Sequence, residues 1–149
     1  MHRIRPATQE DRPAIEAIVE AAYRPYVARI GAEPGPMRDD YGALIEAGHV
    51  HVLDIAGAVE GVLVLIPEAT AMLLDNVAVR AKGIGLGRTL LTFAEQQARD
   101  AGYTSIRLYT HEKMTENIEL YRRLGYAETH RAEQRGLKRV FMAKPLPTA

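Results

Sequence analysis

Apolar residues along this chain repeat with two periods, and each switch between them marks a change from strand to helix. His2 to Ala7 alternates with Ile4 inward, and Pro6 limits the stretch to a short or edge strand. Thr8-Gln9-Glu10-Asp11 has the Ser/Thr-x-x-acidic form of a capping box, with Asp in place of Glu. Ile15, Ile18, Val19 and Ala22 then follow at helical spacing, and Pro25 is expected to end or kink that helix. The next stretch, Tyr23 to Tyr41, is rich in Pro and Gly. It reads as a loop with at most a short helix from Arg38 to Ala47, ended by Gly48. A segment of that length is either a binding loop or lid, or a disordered surface loop.

The middle of the chain has the period of strands. Val50 to Ile55 alternates, Ala56-Gly57-Ala58 turns, and Val59 to Ile66 completes a hairpin. Pro67-Glu68-Ala69-Thr70 turns the chain again into a strand from Met72 to Val79. Short turns permit only antiparallel neighbours, so these three strands form a meander. Leu90, Leu91, Ala94, Ala98 and Ala101 return to helical spacing up to Gly102, and Thr104 to Thr110 is strand-like. Strand, helix and strand from Met72 to Thr110 make a right-handed crossover with parallel strands. A short helix from Thr115 to Arg123 ends at Gly125. Two last strands, near Tyr126 to Glu133 and Lys138 to Lys144, join through Gln134-Arg135-Gly136. The expectation is one α/β domain over residues 1–149: a mixed sheet, antiparallel then parallel, with helices on both faces.

Composition narrows the function classes. Lys plus Arg and Asp plus Glu are each 19 of 149 residues, which argues against nucleic acid or an anionic membrane as the main partner. There is no cysteine, which excludes disulfides, thiol catalysis and thiolate metal sites. Val62 to Ile66, the longest aliphatic run, is far too short to span a bilayer, and the start MHRIRPATQEDR lacks a signal-peptide core. A soluble, cytoplasmic protein is expected. The five histidines offer no metal site: His49 and His51 share a strand face, with no third ligand in view.

Chemistry concentrates in Met72 to Leu91. The strand ends at Val77-Ala78-Val79, glycines alternate at Gly83, Gly85 and Gly87, and Arg88 and Thr89 open a helical pattern. Such a turn can put several free backbone N–H groups around one phosphate, and glycine lets the ligand approach without a Cβ in the way. The plain alternative is a tight strand-to-helix turn. No Gly-Lys-Ser/Thr ends it as in a P-loop, and the third glycine of a dinucleotide fingerprint would fall at Arg88.

Beyond that turn, Ile4-Arg5-Pro6-Ala7-Thr8 with Asp11, Asp75 to Val79, Lys82 to Gly87 and Ile118 to Tyr126 carry a resemblance over nearly the whole chain. The pattern is similar to that of the Gcn5-related N-acetyltransferase (GNAT) superfamily. Lys82-Gly83-Ile84-Gly85-Leu86-Gly87 looks like its Q/R-x-x-G-x-G/A turn. Ile118 to Tyr126 looks like its A-x-x-L-Y-x-x-x-G-F/Y segment, and several small bacterial members share the run Met114 to Asn117. The resemblance implies the acyl-CoA N-acyltransferase fold and acetyl-CoA as cosubstrate. It implies that Val77, Ala78 and Val79 meet the pantetheine arm, and that Lys82, Gly83, Ile84, Gly85, Leu86, Gly87, Arg88 and Thr89 hold the pyrophosphate. Asn117 is the nearest asparagine to the family's position, which here is Met114. Tyr121 matches the tyrosine often proposed as proton donor to the departing thiolate. Only Arg80 and Ala81 separate Val79 from Lys82, a shorter link than usual, and lysine replaces Gln or Arg.

An amine of pKa ~10.4 is only about one part in a few thousand neutral at pH 7, so the site must bind the free amine or take a proton from it. Asp75 is the first candidate base, because it shares strand parity with Val77 and Val79; Glu68, Asp39 and Asp40 are rivals. The Val79 N–H suits an oxyanion, and Tyr121 suits a thiolate leaving group. Tyr23, Tyr26, Arg29, Glu33 and Tyr41 either shape an acceptor pocket or pack the loop. The expected activity is acetyl transfer to a small-molecule, peptide or protein amine, with a homodimer left open. The alternative is a non-catalytic acyl-CoA sensor or partner-binding module.

Overall fold

A computed structural model describes residues 2–147. Seven strands form one sheet: β1 (His2–Pro6), β2 (Val50–Ile55), β3 (Ala58–Pro67), β4 (Met72–Val79), β5 (Ser105–His111), β6 (Ala127–Gln134) and β7 (Leu137–Pro145). Their order is β1-β2-β3-β4-β5-β7-β6. Only β4 and β5 are parallel, and the other neighbours are antiparallel. The expected meander, crossover and final hairpin are therefore all present. The β2–β3 turn holds both central residues at positive φ, Ala56 at 53° and Gly57 at 88°, which suits the twist of a tight hairpin.

The helices are α1 (Arg12–Ile30), α2 (Tyr41–Glu46), α3 (Leu86–Asp100) and α4 (Thr115–Arg123). Ile15, Ile18 and Val19 of α1 and Ile45 of α2 pack on Val52, Val62 and Val64 of the sheet. On the opposite face Leu90, Leu91 and Ala94 of α3 and Ile118 of α4 pack on Leu63, Leu65, Leu74 and Leu108. Strand β3 is thus buried on both faces, which is why Val62 to Leu65 is an unbroken apolar run rather than an alternation. Its Gly61 permits the closest approach of α3: a Cβ there would lie 3.0 Å from Leu90 Cδ1.

Pro25 does not end the first helix, which continues to Ile30 and is capped by Gly31 at a φ of 84°. Proline removes one backbone hydrogen bond, and tertiary anchors on both sides outweigh that loss. Upstream, Tyr23 Oη donates to Asn76 Oδ1 at 2.7 Å. Downstream, Arg29 reaches Glu116 of α4 at 2.6 Å. The expected loop shrinks accordingly, and its remainder holds a 3-10 turn, Gly35–Arg38, ahead of α2. Among the described residues no helix is long and apolar enough to cross a membrane.

Candidate active site

The sheet opens between its two parallel strands. Pairing of β4 with β5 covers Met72↔Ile106, Leu73↔Arg107 and Leu74↔Leu108, after which both strands run on apart. Pairing of β4 with β3 holds to its end at Gly61↔Val79, and the Arg80 N–H donates to the Glu60 carbonyl at 2.9 Å. A register shift lies at the start of the opening. Val64 faces Asn76 and Leu65 faces Leu74, so Asp75 is the extra residue of a bulge, which bends the strand and increases its twist. Peptide groups alternate along a strand. Since Arg80 donates toward β3, the N–H groups of Val77 and Val79 face the opening. The Val77 carbonyl oxygen lies 3.3 Å from Tyr23 Oη there.

The bulge also overturns the expected parity. Val77 and Val79 pack toward the α3 face, but Asp75 turns its carboxylate the other way, where Tyr109 Oη donates to Oδ1 at 2.8 Å. Asn76 is buried beside it in a polar chain. Tyr23 Oη donates to its Oδ1, its Nδ2 donates to Tyr41 Oη at 3.0 Å, and Tyr41 donates to the Pro36 carbonyl at 2.6 Å. Tyr23 and Tyr41 are thus framework as well as lining.

Three connected spaces follow the opening. The first is an open groove of about 1420 Å³. Val77, Ala78, Val79, Lys82, Gly83, Gly85, Leu86, Gly87 and Arg88 line one side, and Asn117 and Tyr121 of α4 the other. The second is an inner pocket that shares Tyr23, Val77, Asn117 and Tyr121 with the groove and also holds Asp75, Tyr109 and His111. The third, about 850 Å³, shares Asp75, Tyr109 and Arg139 with the inner pocket and adds Arg38, Asp39 and Arg135. Tyr121 and Asp75 therefore stand on walls of one pocket.

The glycine turn has room for a ligand. Gly83 and Gly85 sit at φ of 81° and 86°, and Gly85 is the N-cap of α3 without a side-chain cap. A Cβ added at Gly83, Gly85 or Gly87 would meet no protein atom within 4 Å. Lys82, Arg88 and Thr89 are exposed beside the turn, as is Ile84 at 67%. Thr89 spends its hydroxyl on the Gly85 carbonyl at 3.0 Å. The short link Arg80-Ala81 is accommodated because Arg80 still pairs with β3 and the helix begins at Leu86, earlier than the sequence pattern suggests. The uncapped first turn of α3 leaves its N–H groups facing the groove mouth.

Titratable groups divide by surroundings. Burial pushes Tyr121 up to about 12, so it holds its proton throughout the ordinary range. Its ring meets that of Tyr126 edge-on, with centroids 5.6 Å apart. Burial, with the neighbouring Asp75 carboxyl second, pushes Asp39 up to about 7, against the pull of Arg139 and Arg135. The other rivals are committed elsewhere: Asp40 caps α2 by accepting from the Ala43 N–H at 3.0 Å, and Glu68 pairs with Arg107 at 2.6 Å. Tyr26 Oη and Arg29 both bond Glu116, tying α1 to α4 across the groove. Glu33 lies outside, near Arg24. His51 packs edge-on against Phe93 at 5.1 Å, and among the described residues no group of three or more His, Asp or Glu gathers as a metal site. Tyr109, His111 and Arg139 escaped sequence reasoning; the polar members of the β5 alternation were the only signal for the first two.

The family model described as acetyltransferase (GNAT) family matches residues 15–126. No curated protein matches the chain in sequence. Solved structures share its fold at low identity. PaiA N-acetyltransferase from Thermoplasma acidophilum, in complex with coenzyme A, superposes with a TM-score of 0.79 at 16% identity, over 97% of this chain and 99% of that one. The ribosomal-protein-S18-alanine N-acetyltransferase from Escherichia coli gives 0.73 at 20%, over 100% and 96%. N-acetylglutamate synthase from Neisseria gonorrhoeae, with coenzyme A and N-acetyl-glutamate, gives 0.71 at 19%, over 99% of this chain and 35% of that one.

Proposed function

The chain belongs to the GNAT acetyltransferase family and has its acyl-CoA N-acyltransferase fold, and we propose that it transfers acetyl from acetyl-CoA to a primary amine by direct attack on the thioester. The observation that carries this reading is the inner pocket, where a protonated phenol and a carboxyl pair face the same space at the end of a glycine-lined groove. A mere acyl-CoA sensor has no use for that pairing. Residues 1–149 act as one catalytic unit in this reading, because site residues come from α1, β4, β5, α4 and β7.

When bound, acetyl-CoA supplies a thioester carbonyl that a neutral amine attacks, with departure of a thiolate. Gly83, Gly85, Gly87 and the first turn of α3 hold its pyrophosphate through backbone N–H groups, with Lys82 and Arg88 beside them. The open space a Cβ would enter at each glycine fits this role. Val77 and Val79 offer backbone groups along the opening, and the Val79 N–H donates to developing negative charge on the carbonyl oxygen. Asp75, with Asp39 beside it, takes the proton the amine must lose. Tyr121 keeps a proton at its hydroxyl for the sulfur and lends it at the end of the reaction. Asn117, common to groove and inner pocket, orients the cosubstrate where the two meet.

Thermal shift tests the cofactor half of the proposal. Acetyl-CoA and coenzyme A each raise the Tm by mass action, and NAD does not. Equal shifts with NAD, or no shift with either thioester or thiol at high concentration, contradict it.

A further inference from the structure

The outer pocket carries charge that proton transfer does not require. Arg139 lays its guanidinium over the Tyr109 ring, 4.1 Å from the centroid, and donates to Gln134 Oε1 at 2.8 Å. Gly35 leaves the room it occupies: a Cβ there would lie 3.1 Å from Arg139 Nη2. Arg135, on the β6–β7 turn, and Arg38, at the end of the 3-10 turn, line the same space. Among the described residues none of these three arginines is ion-paired with a carboxylate. Three guanidinium groups thus line the same space as the two carboxyl groups of Asp39 and Asp75, so cationic side chains outnumber acidic ones on that wall.

We propose that the acceptor is a small free amino acid, its amine in the inner pocket between Tyr121 and Asp75 and its carboxylate against Arg139 and Arg135. The proposal rests on the acetyltransferase reading above and names the substrate class of that same site. The geometry of the wall suits it. Arginine forks bind a carboxylate through two parallel N–H bonds, and Arg139 is already oriented by Tyr109 and Gln134. The two pockets are continuous through Asp75 and Tyr109. A simple alkylamine or polyamine would leave the arginines unmatched, and its extra positive charge would meet them unfavourably.

The test compares full-length protein on matched acceptors with acetyl-CoA: free amino acids, their carboxamides, alkylamines and phosphoethanolamine. For at least one amino acid, kcat/KM exceeds that of its carboxamide by about tenfold or more, the scale of one charge-assisted pair. Arg139→Gln and Arg135→Asn each collapse that ratio several-fold. Asn suits position 135 because the backbone there has a φ of 53°. A retained thermal shift with coenzyme A shows that each variant is folded. The proposal is overturned if carboxamides or alkylamines match the acids, if phosphoethanolamine outruns every amino acid, or if the ratio ignores both arginine substitutions. Absence of turnover on every amine despite cofactor binding overturns the acetyltransferase reading itself, and this proposal with it.

Discussion

Tyr109 donates to Asp75 across the point where the sheet comes apart. The last backbone pair between β4 and β5 is Leu74↔Leu108, and the next residue of each strand is joined to the other by this 2.8 Å side-chain bond. One interaction therefore closes the end of the ladder and aims the carboxylate into the inner pocket. The phenol is raised by burial first and by Asp75 second, so it stays a donor. It leaves the second Asp75 oxygen to Asp39 or to an amine.

That arrangement fixes the acid limb of activity. Asp39, beside Asp75, becomes able to take a proton as pH rises through about 7. With one acceptor amine used throughout, kcat/KM rises across that range as Asp39 ionises, and Asp39→Asn removes that inflection. Asp75→Asn lowers kcat by about a hundredfold, the lower end for general-base removal. The pH–rate profiles of the three proteins check both statements.

The same pair has a stability signature of opposite sense. Asp39 is raised from 3.8 to about 7, so between those values the folded chain holds a proton the unfolded chain has lost. Its contribution is therefore full below the unfolded value and disappears as pH rises through the folded one. Asp39→Asn removes this loss and stabilises the protein at pH 8 by about 1–2 kcal/mol relative to wild type, allowing for the solvent that still reaches the group. Thermal melts from pH 4 to 8 show the two curves diverging upward in pH.

Tyr121→Phe separates chemistry from binding. The ring keeps its contact with Tyr126, so the fold and the coenzyme A thermal shift persist. Turnover falls by about a hundredfold or more with loss of the proton donor. Full turnover by the phenylalanine variant at every pH tested removes Tyr121 from the mechanism.

Gly87 separates cradle from scaffold. It lies inside α3, outside the positive-φ glycines, with no protein atom within 4 Å of an added Cβ. Gly87→Val therefore changes stability by no more than about 0.5 kcal/mol, as surface helix substitutions do. Its isopropyl group fills space assigned to the pyrophosphate, so cofactor affinity drops at least tenfold by calorimetry.

Much of this was legible before any coordinates, because burial imposes period. The both-faces run Val62 to Leu65, the glycine turn and the spacing of Leu90, Leu91, Ala94 and Ala98 each point to one element with little competition. What the sequence concealed depends on contacts distant in the chain. Pro25 argued for a helix end, but the helix continues through it, with Tyr23 and Arg29 on either side bonded to Asn76 and Glu116, more than fifty residues away. Parity placed Asp75 with Val77 and Val79, and a register shift against Val64 and Leu65 turned it to the other face. Asp39 and Asp40 are indistinguishable as neighbours in sequence, yet one caps a helix and the other meets Asp75. Arg135 and Arg139 of the outer pocket arrive from the last hairpin, which no local pattern connects to β4.

Acetyl transfer at the opening between β4 and β5 leaves two products, a free thiol and an N-acetylated amine. The most direct measurement incubates the full chain with isotopically labelled acetyl-CoA and a mixed panel of amines, and reads free thiol and labelled product by mass spectrometry. Thiol release matched by a labelled N-acetyl product, abolished together by Asp75→Asn and Tyr121→Phe combined, is the predicted result. Bound cofactor with no labelled product from any amine, or product formed undiminished by that double variant, contradicts it.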